Sequence, residues 1–380
     1  FWASIITIFY HYCGYPLTLI ILNRVRKREQ IRSGNITPSI SLIISAYNEE
    51  EVIRPKIENS LCLDYPEGKL EIIVASDGST DKTCEFTREY EKKGVALYHH
   101  PERRGKNRVL NDVFHKTGGE ILVFTDANGM FAKSALRELV RPFADSRVGC
   151  VCGELIYQNP NSNLVAEGYN CYWRYDQWLK RLESRLYSLL GANGSIFAVR
   201  KDLNEPLDPR VSNDMVLPIK IASHGYSVIY APEAVSIEAG SAGEREELRR
   251  RSRIVAWGLL GVISLVPDLL RKQRGFLLFQ LFSRKLIRYF FPLLLAMILV
   301  SNSFLGGPFY RFTLIAQIFP YLLVPWGYYL SHKGIRLPFL SLPYYFCVGV
   351  LAALMGLIKV FSLRELATWE GFDRRYDLRN

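Results

Sequence analysis

The sequence predicts an α/β fold, a Rossmann-like domain built on a mostly parallel sheet and bounded by α-helical transmembrane segments. Two patterns and one composition predict it. Between residues 38 and 235, short apolar runs alternate with stretches of helical period, the βαβ rhythm of a doubly wound sheet. Residues 1–23, 289–310, 312–331 and 337–358 hold no Asp, Glu, Lys or Arg, and each run is long enough to cross a hydrocarbon core as a helix. With 380 residues, 49% of them hydrophobic, the chain suits one sizeable domain plus a membrane part.

The elements follow in order. Residues 1–23 lead into "RVRKR" and not into a small-residue cleavage site, which marks an anchor and not a secretion signal; the first residue is Phe, which leaves room for an upstream segment. "SISLIISAY" reads as a buried strand with a helix behind it at 49–61, and "KLEIIVASDGS" as a second strand with a helix at 81–92. "VALYHH" is a short third strand, and "KNRVLNDVFHKT" a helix with Val109, Leu110, Val113 and Phe114 on one side. "GGEILVFTDANGM" is a central fourth strand whose four apolar residues, 121–124, give way abruptly to Thr125, Asp126 and Asn128. Beyond Val151 the rhythm loosens into a long aromatic helix at about 164–190. A Gly-rich turn and strand in "GANGSIFAVR", a helix in "SNDMVLPIKIASHG" and a last strand in "YSVIYAP" follow. The apolar run 254–266 is too short to span and reads as an interfacial helix. The expected organisation is therefore an anchor at 1–23, an α/β domain at 38–235, a basic linker with the interfacial helix at 236–283, about three spanning helices within 284–362, and a tail at 363–380.

The formal net charge is +11, and the basic residues gather at membrane flanks: Arg24, Arg26, Lys27 and Arg28; Arg271, Lys272 and Arg274; Arg284, Lys285 and Arg288. The positive-inside rule puts these flanks, and the domain between them, on the cytoplasmic side of a multi-pass cell-membrane protein. The excess points to anionic headgroups and phosphorylated substrates. No aromatic-interleaved basic strand is present, which sets nucleic acid aside. Seven scattered cysteines, of which only Cys150 and Cys152 are close, read as reduced thiols and not as a zinc site.

Four polar clusters fall at strand ends or helix starts: "SAYNEE" (45–50), "SDGSTDKT" (76–83), "TDAN" (125–128) and "SND" (212–214). Each alone is ordinary capping chemistry. Four at the carboxyl edge of one sheet, where open α/β folds bind ligands, describe a crevice lined by carboxylates. Lys106 and the Gly-rich turn 191–194 beside it suit a metal-bound diphosphate. Asp126 and Asn128, two residues apart, can close on one hard cation such as Mg2+ or Mn2+.

"SLIISAYNEE", "IIVASDGSTDKT", "ILVFTDAN", "GANGSIFAVR" and "SND", in this order and spacing, resemble inverting, metal-dependent family-2 glycosyltransferases of GT-A fold. Within them, the membrane-embedded group of cellulose, hyaluronan and poly-N-acetylglucosamine synthases is most similar. The resemblance covers about residues 38–258 by motif and the remainder by topology. It implies that Ala46, Tyr47 and Glu49, with Asp77, hold the nucleoside and that Lys106 lies near the nucleotide. Asp126 and Asn128 stand at the DxD position and would hold Mg2+ or Mn2+, less tightly than two carboxylates would. Asp214 matches the general base, which inversion requires on the sugar face opposite the leaving diphosphate. "EREELRRRSRIVAWG" aligns in part with the QxxRW motif: Arg253 sits at the arginine that contacts the diphosphate. Arg250 replaces the Gln and Ile254 the acceptor-stacking Trp, with Trp257 one turn later.

The expected function is transfer of a sugar from a nucleotide sugar, UDP-linked, to a growing polysaccharide, with synthesis coupled to export. Its expected partners are a nucleotide-sugar donor, a glycan or lipid-linked acceptor, membrane lipids and export-complex subunits. Single addition to a lipid-linked acceptor is the second expectation, and a catalytically idle scaffold of an export complex the third.

Overall fold

Eight strands form one sheet: β1 Ile40–Ala46, β2 Leu70–Asp77, β3 Val95–His100, β4 Ile121–Asp126, β5 Met130–Phe131, β6 Val148–Gln158, β7 Phe197–Arg200 and β8 Ser227–Ala239, in the spatial order β3-β2-β1-β4-β7-β6-β8-β5. The computed structural model describes residues 1–26, 31–158, 164–239, 244–332 and 338–361. All seven residues of β1 are buried, as an unbroken apolar run in a doubly covered sheet requires. Around β1 the sheet is parallel, as expected, but β7 runs antiparallel to both β4 and β6, so the sheet as a whole is mixed. The long β6 and the short β5 are strands that the sequence reading did not place.

One rung of this sheet sets the geometry of the rim. Phe197 pairs with Phe124 on one side and with Cys152 on the other. Asp126 and Glu154 therefore each stand two residues beyond the same rung, towards the same edge.

Two apolar cores sandwich the sheet. Ile44, Val74 and Val123 pack with helices Ile53–Leu61 and Ala135–Val140 on one face. Ile43, Phe124, Cys152 and Phe197 pack with helices Lys106–Val113 and Asn213–Ser223 on the other. The helix expected at 49–61 starts only at Ile53, because residues 48–50 are tied to the next connection: the Asn48 and Glu49 amides donate to Ser79 Oγ (3.1 Å) and Thr83 Oγ1 (2.8 Å), and the Lys82 amide to Glu50 Oε2 (3.0 Å).

Trp2–Val25 and Glu247–Arg271 are long and apolar enough to cross a membrane, and Gly275–Tyr289 with Phe291–Ser303 makes a third if that bent pair counts as one span. The interfacial helix expected at 254–266 is thus part of a longer helix, Glu244–Arg271. Its charged start does not end it, since Arg250 and Arg251 both pair with Glu247 at 2.9 and 2.5 Å. Leu259, Val262, Leu265 and Leu269 of this helix are buried in the same core as Met215 and Val216. The run 289–310 is not one helix: the chain bends by 62° at Phe290, next to Pro292, and the helix ends at Ser303 before Gly307, whose φ is +114°. Helices Pro308–His332 and Pro338–Phe361 follow, the latter along Glu244–Arg271, where a Cβ on Gly356 would lie 2.7 Å from the Ser252 carbonyl oxygen. The tail expected at 363–380, and Lys27 and Arg28 of the first basic flank, lie outside the described residues.

Candidate active site

The rim is assembled from loops that strand ends and glycines shape. After β2 the chain turns at Gly78, with φ +68°, and a Cβ there would meet the Arg103 backbone nitrogen at 2.6 Å. This close approach brings residues 103–105 over the end of β2. Asp77 holds them: its Oδ1 accepts from the Arg104 amide at 2.7 Å and its Oδ2 from the Gly105 amide at 2.9 Å. Helix Lys106–Val113 begins at the next residue. Asp77, Ala46 and Lys106 line one small pocket with Val109 and Leu110. Tyr47 lies at its edge, with the Arg103 guanidinium over its ring, 4.0 Å from the centroid. Nε and one terminal nitrogen of Arg103 are buried and have no hydrogen-bond partner among the described residues.

From that pocket a chain of contacts runs to the other clusters. Lys106 Nζ donates to Asp126 Oδ1 at 2.6 Å. Asp126 Oδ2 and Asp214 Oδ2 face each other across Gly194: a Cβ on that glycine would lie 3.7 Å from the first and 3.3 Å from the second. The two carboxylates, 88 positions apart in the sequence, thus approach the same side of Gly194. Ser212 precedes the helix Asn213–Ser223 and donates through its hydroxyl to Asp214 Oδ1. The Ala192 amide donates to the Asp214 carbonyl at 2.6 Å and fixes the Gly-rich turn against the helix start.

Asn128 is buried in the turn behind β4. Among the described residues no group of three or more His, Cys, Asp or Glu could hold a metal ion. The local donor set is one carboxylate and one amide, both hard oxygen ligands. That set does not make a closed protein cage; it fits a Mg2+ or Mn2+ that keeps substrate oxygens as further ligands. Glu49 sits in the loop tied to residues 79–83, at the outer wall. Arg253 is carried by helix Glu244–Arg271, its guanidinium 5.2 Å from the Trp257 ring centroid. The same helix seats Gly258 against Tyr289 and Gly261 against Met215, the residue after Asp214. Ala46, Asp77 and Lys106 thus line one pocket, Lys106 pairs with Asp126, and Asp126 and Asp214 both approach Gly194. Tyr47 and Asn128 neighbour these residues in the chain, Glu49 is tied to Thr83, and Arg253 packs on Trp257.

A fully buried lysine lies beneath the turn that holds Asp126 and Asn128 and escaped the sequence reading. Lys56 Nζ donates to Thr125 Oγ1 at 3.1 Å and to the Gly129 carbonyl, and stands 4.1 Å from the Phe131 ring centroid. Burial pulls its pKa down to about 7, against the attraction of Asp126 and Glu238. Its signal was present in "VIRPKIENS": Val52, Ile53, Lys56, Ile57 and Ser60 fall on one helical stripe, and a lysine on an apolar stripe needs buried partners.

Residues 41–207 match the family described as glycosyl transferase family 2. The probable glycosyltransferase YdaM of Bacillus subtilis is 27% identical over 256 residues, 64% of this chain and 61% of that protein. The beta-monoglucosyldiacylglycerol synthase of a Nostoc species is 30% identical over 186 residues, 48% of this chain and 40% of that one. A poly-beta-1,6-N-acetyl-D-glucosamine synthase of Staphylococcus epidermidis is 27% identical over 206 residues, 52% of this chain and 48% of that one. The chain spans about half the length of the curated relatives it matches. The mannosyltransferase PcManGT from Pyrobaculum calidifontis, solved in complex with GDP-Man and Mn2+, has the same fold: its TM-score is 0.70 at 22% identity, over 95% of this chain and 99% of that one.

Proposed function

We propose that this chain, whose residues 41–207 form a glycosyl transferase family 2 domain on a GT-A fold, is a metal-dependent hexosyltransferase that moves a sugar from a nucleotide sugar to an acceptor at a membrane surface. The observation that carries the reading is the meeting of Asp126 and Asp214 across Gly194, next to Lys106 and the Asp77 pocket. A nucleoside lies against Tyr47, Glu49 and Ala46, with Asp77 shaping the floor. Asp126 and Asn128 hold a divalent cation, Mg2+ or Mn2+, which when bound neutralises diphosphate charge and improves the leaving group. Lys106 and Arg253 attend the diphosphate. Asp214 receives the proton of the attacking acceptor hydroxyl, from the side of the sugar away from the diphosphate, so the configuration inverts. UDP is the nucleotide of this proposal. The mannosyltransferase of the same fold was solved with GDP-Man, so both nucleotides enter the test.

Attachment to the cytoplasmic face of a cell membrane is supported by the apolar helices and by their exposed side chains, among them Phe304, Phe312 and Leu322. Single addition to a lipid-borne acceptor is the form we favour. Ile254 stands where processive synthases carry a stacking Trp, and Arg253 covers the Trp257 ring. The likeness to a glucosyldiacylglycerol synthase agrees with this choice. Polymer synthesis coupled to export, with export-complex subunits, is the second reading, favoured by the likeness to a poly-N-acetylglucosamine synthase. The test is release of UDP or GDP from a panel of nucleotide sugars by the detergent-solubilised protein, with and without Mn2+. Mn2+-dependent release that disappears in Asp214→Asn supports the assignment; no release from any donor defeats it. Product length then separates one added sugar from a polymer.

A further inference from the structure

Beside the place where Asp126 and Asp214 approach Gly194 lies a second set of polar groups that no step above uses. Glu154 reaches the same rim as Asp126, two residues past the shared rung through Phe197. It is 5% exposed, its Oε1 accepts from Gln177 Nε2, and its Oε2 is buried with no hydrogen-bond partner among the described residues. Tyr230, in register with Cys152 on the neighbouring strand, is 7% exposed and its hydroxyl is likewise buried and unpartnered. Lys180 is near both, 5.9 Å from the Tyr230 ring centroid and close enough to Glu154 to attract its charge. The same Lys180 donates to Asn193 Oδ1 at 2.7 Å, and Asn193 donates to the Gly153 carbonyl at 2.6 Å. Asn193 immediately precedes Gly194, the residue across which Asp126 and Asp214 meet. The Cys152 thiol, also in this group, feels Lys180, Glu154 and Asp214 together.

Two orphaned polar groups in so dry a place are costly unless something completes them. A carboxylate oxygen takes a hydrogen bond from a hydroxyl, and a phenol both gives and takes one. Resting on the glycosyl-transfer reading, we propose that Glu154 and Tyr230 form the acceptor subsite and bind a hydroxyl adjacent to the one that attacks. The acceptor is then a neutral polyol, a sugar or glycerol headgroup. A phosphomonoester would set its charge against Glu154 and Asp214. In the transfer, the attacking hydroxyl gives its proton to Asp214 and its oxygen bonds to the anomeric carbon. The bond from that carbon to the diphosphate oxygen breaks, and the nucleoside diphosphate leaves with the electron pair. Glu154 holds the neighbouring hydroxyl and exchanges no proton.

The test uses the whole chain in detergent, with octyl β-glucoside as polyol acceptor and decyl phosphate as phosphate acceptor. Acceptor-independent hydrolysis of the donor is measured beside transfer. E154Q and Y230F, both near-isosteric, are expected to raise KM for octyl β-glucoside by about tenfold or more, because each leaves a buried substrate group unpaired. Donor hydrolysis stays within about twofold of wild type, as expected for groups that touch only the acceptor. Equal loss of hydrolysis and transfer would assign the pair a structural role, an unchanged KM would leave only bound water to fill the site, and preference for decyl phosphate would contradict the polyol; each overturns the proposal. A wild-type protein that releases no nucleotide from any donor instead overturns the glycosyl-transfer reading, and the subsite with it.

Discussion

Replacing Lys56 by Met is expected to stabilise the fold at neutral pH while loosening the turn that carries Asp126 and Asn128. The lysine is fully buried, and its pKa falls from 10.5 to about 7. Between those values the unfolded chain binds a proton that the folded chain does not, so stability rises with pH through that window and the penalty is complete below about pH 7. At about 1.4 kcal/mol per pKa unit, the penalty approaches about 5 kcal/mol. Against it stand the bonds to Thr125 Oγ1 and the Gly129 carbonyl and the contact with Phe131. Leaving the carbonyl unpaired costs about 1–3 kcal/mol, and the lost cation–π contact about 1 kcal/mol. K56M is therefore expected to be about 1–3 kcal/mol more stable at pH 6.5, an advantage that shrinks by about 1.4 kcal/mol per pH unit above 7 and vanishes between about pH 8 and 9. Thermal denaturation of both proteins in mild detergent from pH 6.5 to 9.5 reads the difference. A variant less stable than wild type at pH 6.5, or a difference that does not move with pH, refutes the reasoning.

Three further outcomes follow from the contacts at the rim and its support. Removing the ammonium that holds Asp126, in K106A, is expected to tighten Mn2+ binding to the nucleotide-free protein several-fold and to weaken donor binding, read by Mn2+ electron paramagnetic resonance and donor titration. G194A puts a methyl group 3.3 Å from Asp214 Oδ2 and 3.7 Å from Asp126 Oδ2, so Mn2+-dependent turnover is expected to fall by about tenfold or more while the melting temperature moves by only about 2 °C. R284A leaves Asp176 and Glu183 buried without their shared counter-charge, at 2.9 and 3.0 Å in the native protein, and is expected to cost about 3–5 kcal/mol, read as a lower melting temperature.

The half of the sheet that carries the candidate site was legible because local chemistry and fold agree there. The apolar runs of β1, β2 and β4 end in polar clusters, and the structure brings Asp77, Asp126 and Asp214 to one rim by the crossovers those runs imply. What stayed hidden is of another kind. β6 reads poorly because Gly149 and Gly153 break its pattern. Those glycines exist for contact: a Cβ on Gly153 would lie 2.5 Å from the Ala234 carbonyl oxygen, and one on Gly149 2.6 Å from Ile221. Glu154, inside that strand, took its character from Gln177 and Lys180 on helix Leu164–Leu186, partners that the sequence does not announce. The length of helix Glu244–Arg271 was masked by its charged start, which only the pairing of Arg250 and Arg251 with Glu247 makes compatible with a continuous helix. The bend at Phe290 has a local cause, Pro292, within a run whose composition alone reads as uniform.

Charge balance on the rim explains why the site tolerates an amide at position 128. Asp126 is held by Lys106, Glu154 is attracted by Lys180, and Lys56 lies beneath the same turn. Asp126 and Glu154 thus each have a lysine from a different element as neighbour, and neither lysine comes from the strand whose acid it faces. A second carboxylate at 128 would bind a divalent ion more firmly but would leave more negative charge facing an incoming diphosphate. On the proposed reading, Asn128 leaves much of the cation's remaining charge to be met by the substrate. Metal and nucleotide are then expected to bind together, each raising the affinity of the other, as linkage requires of two ligands that share contacts. Mn2+ titrations with and without nucleoside diphosphate measure that coupling directly, and equal affinities in the two series would mean that Asp126 and Asn128 hold the ion without help from the substrate.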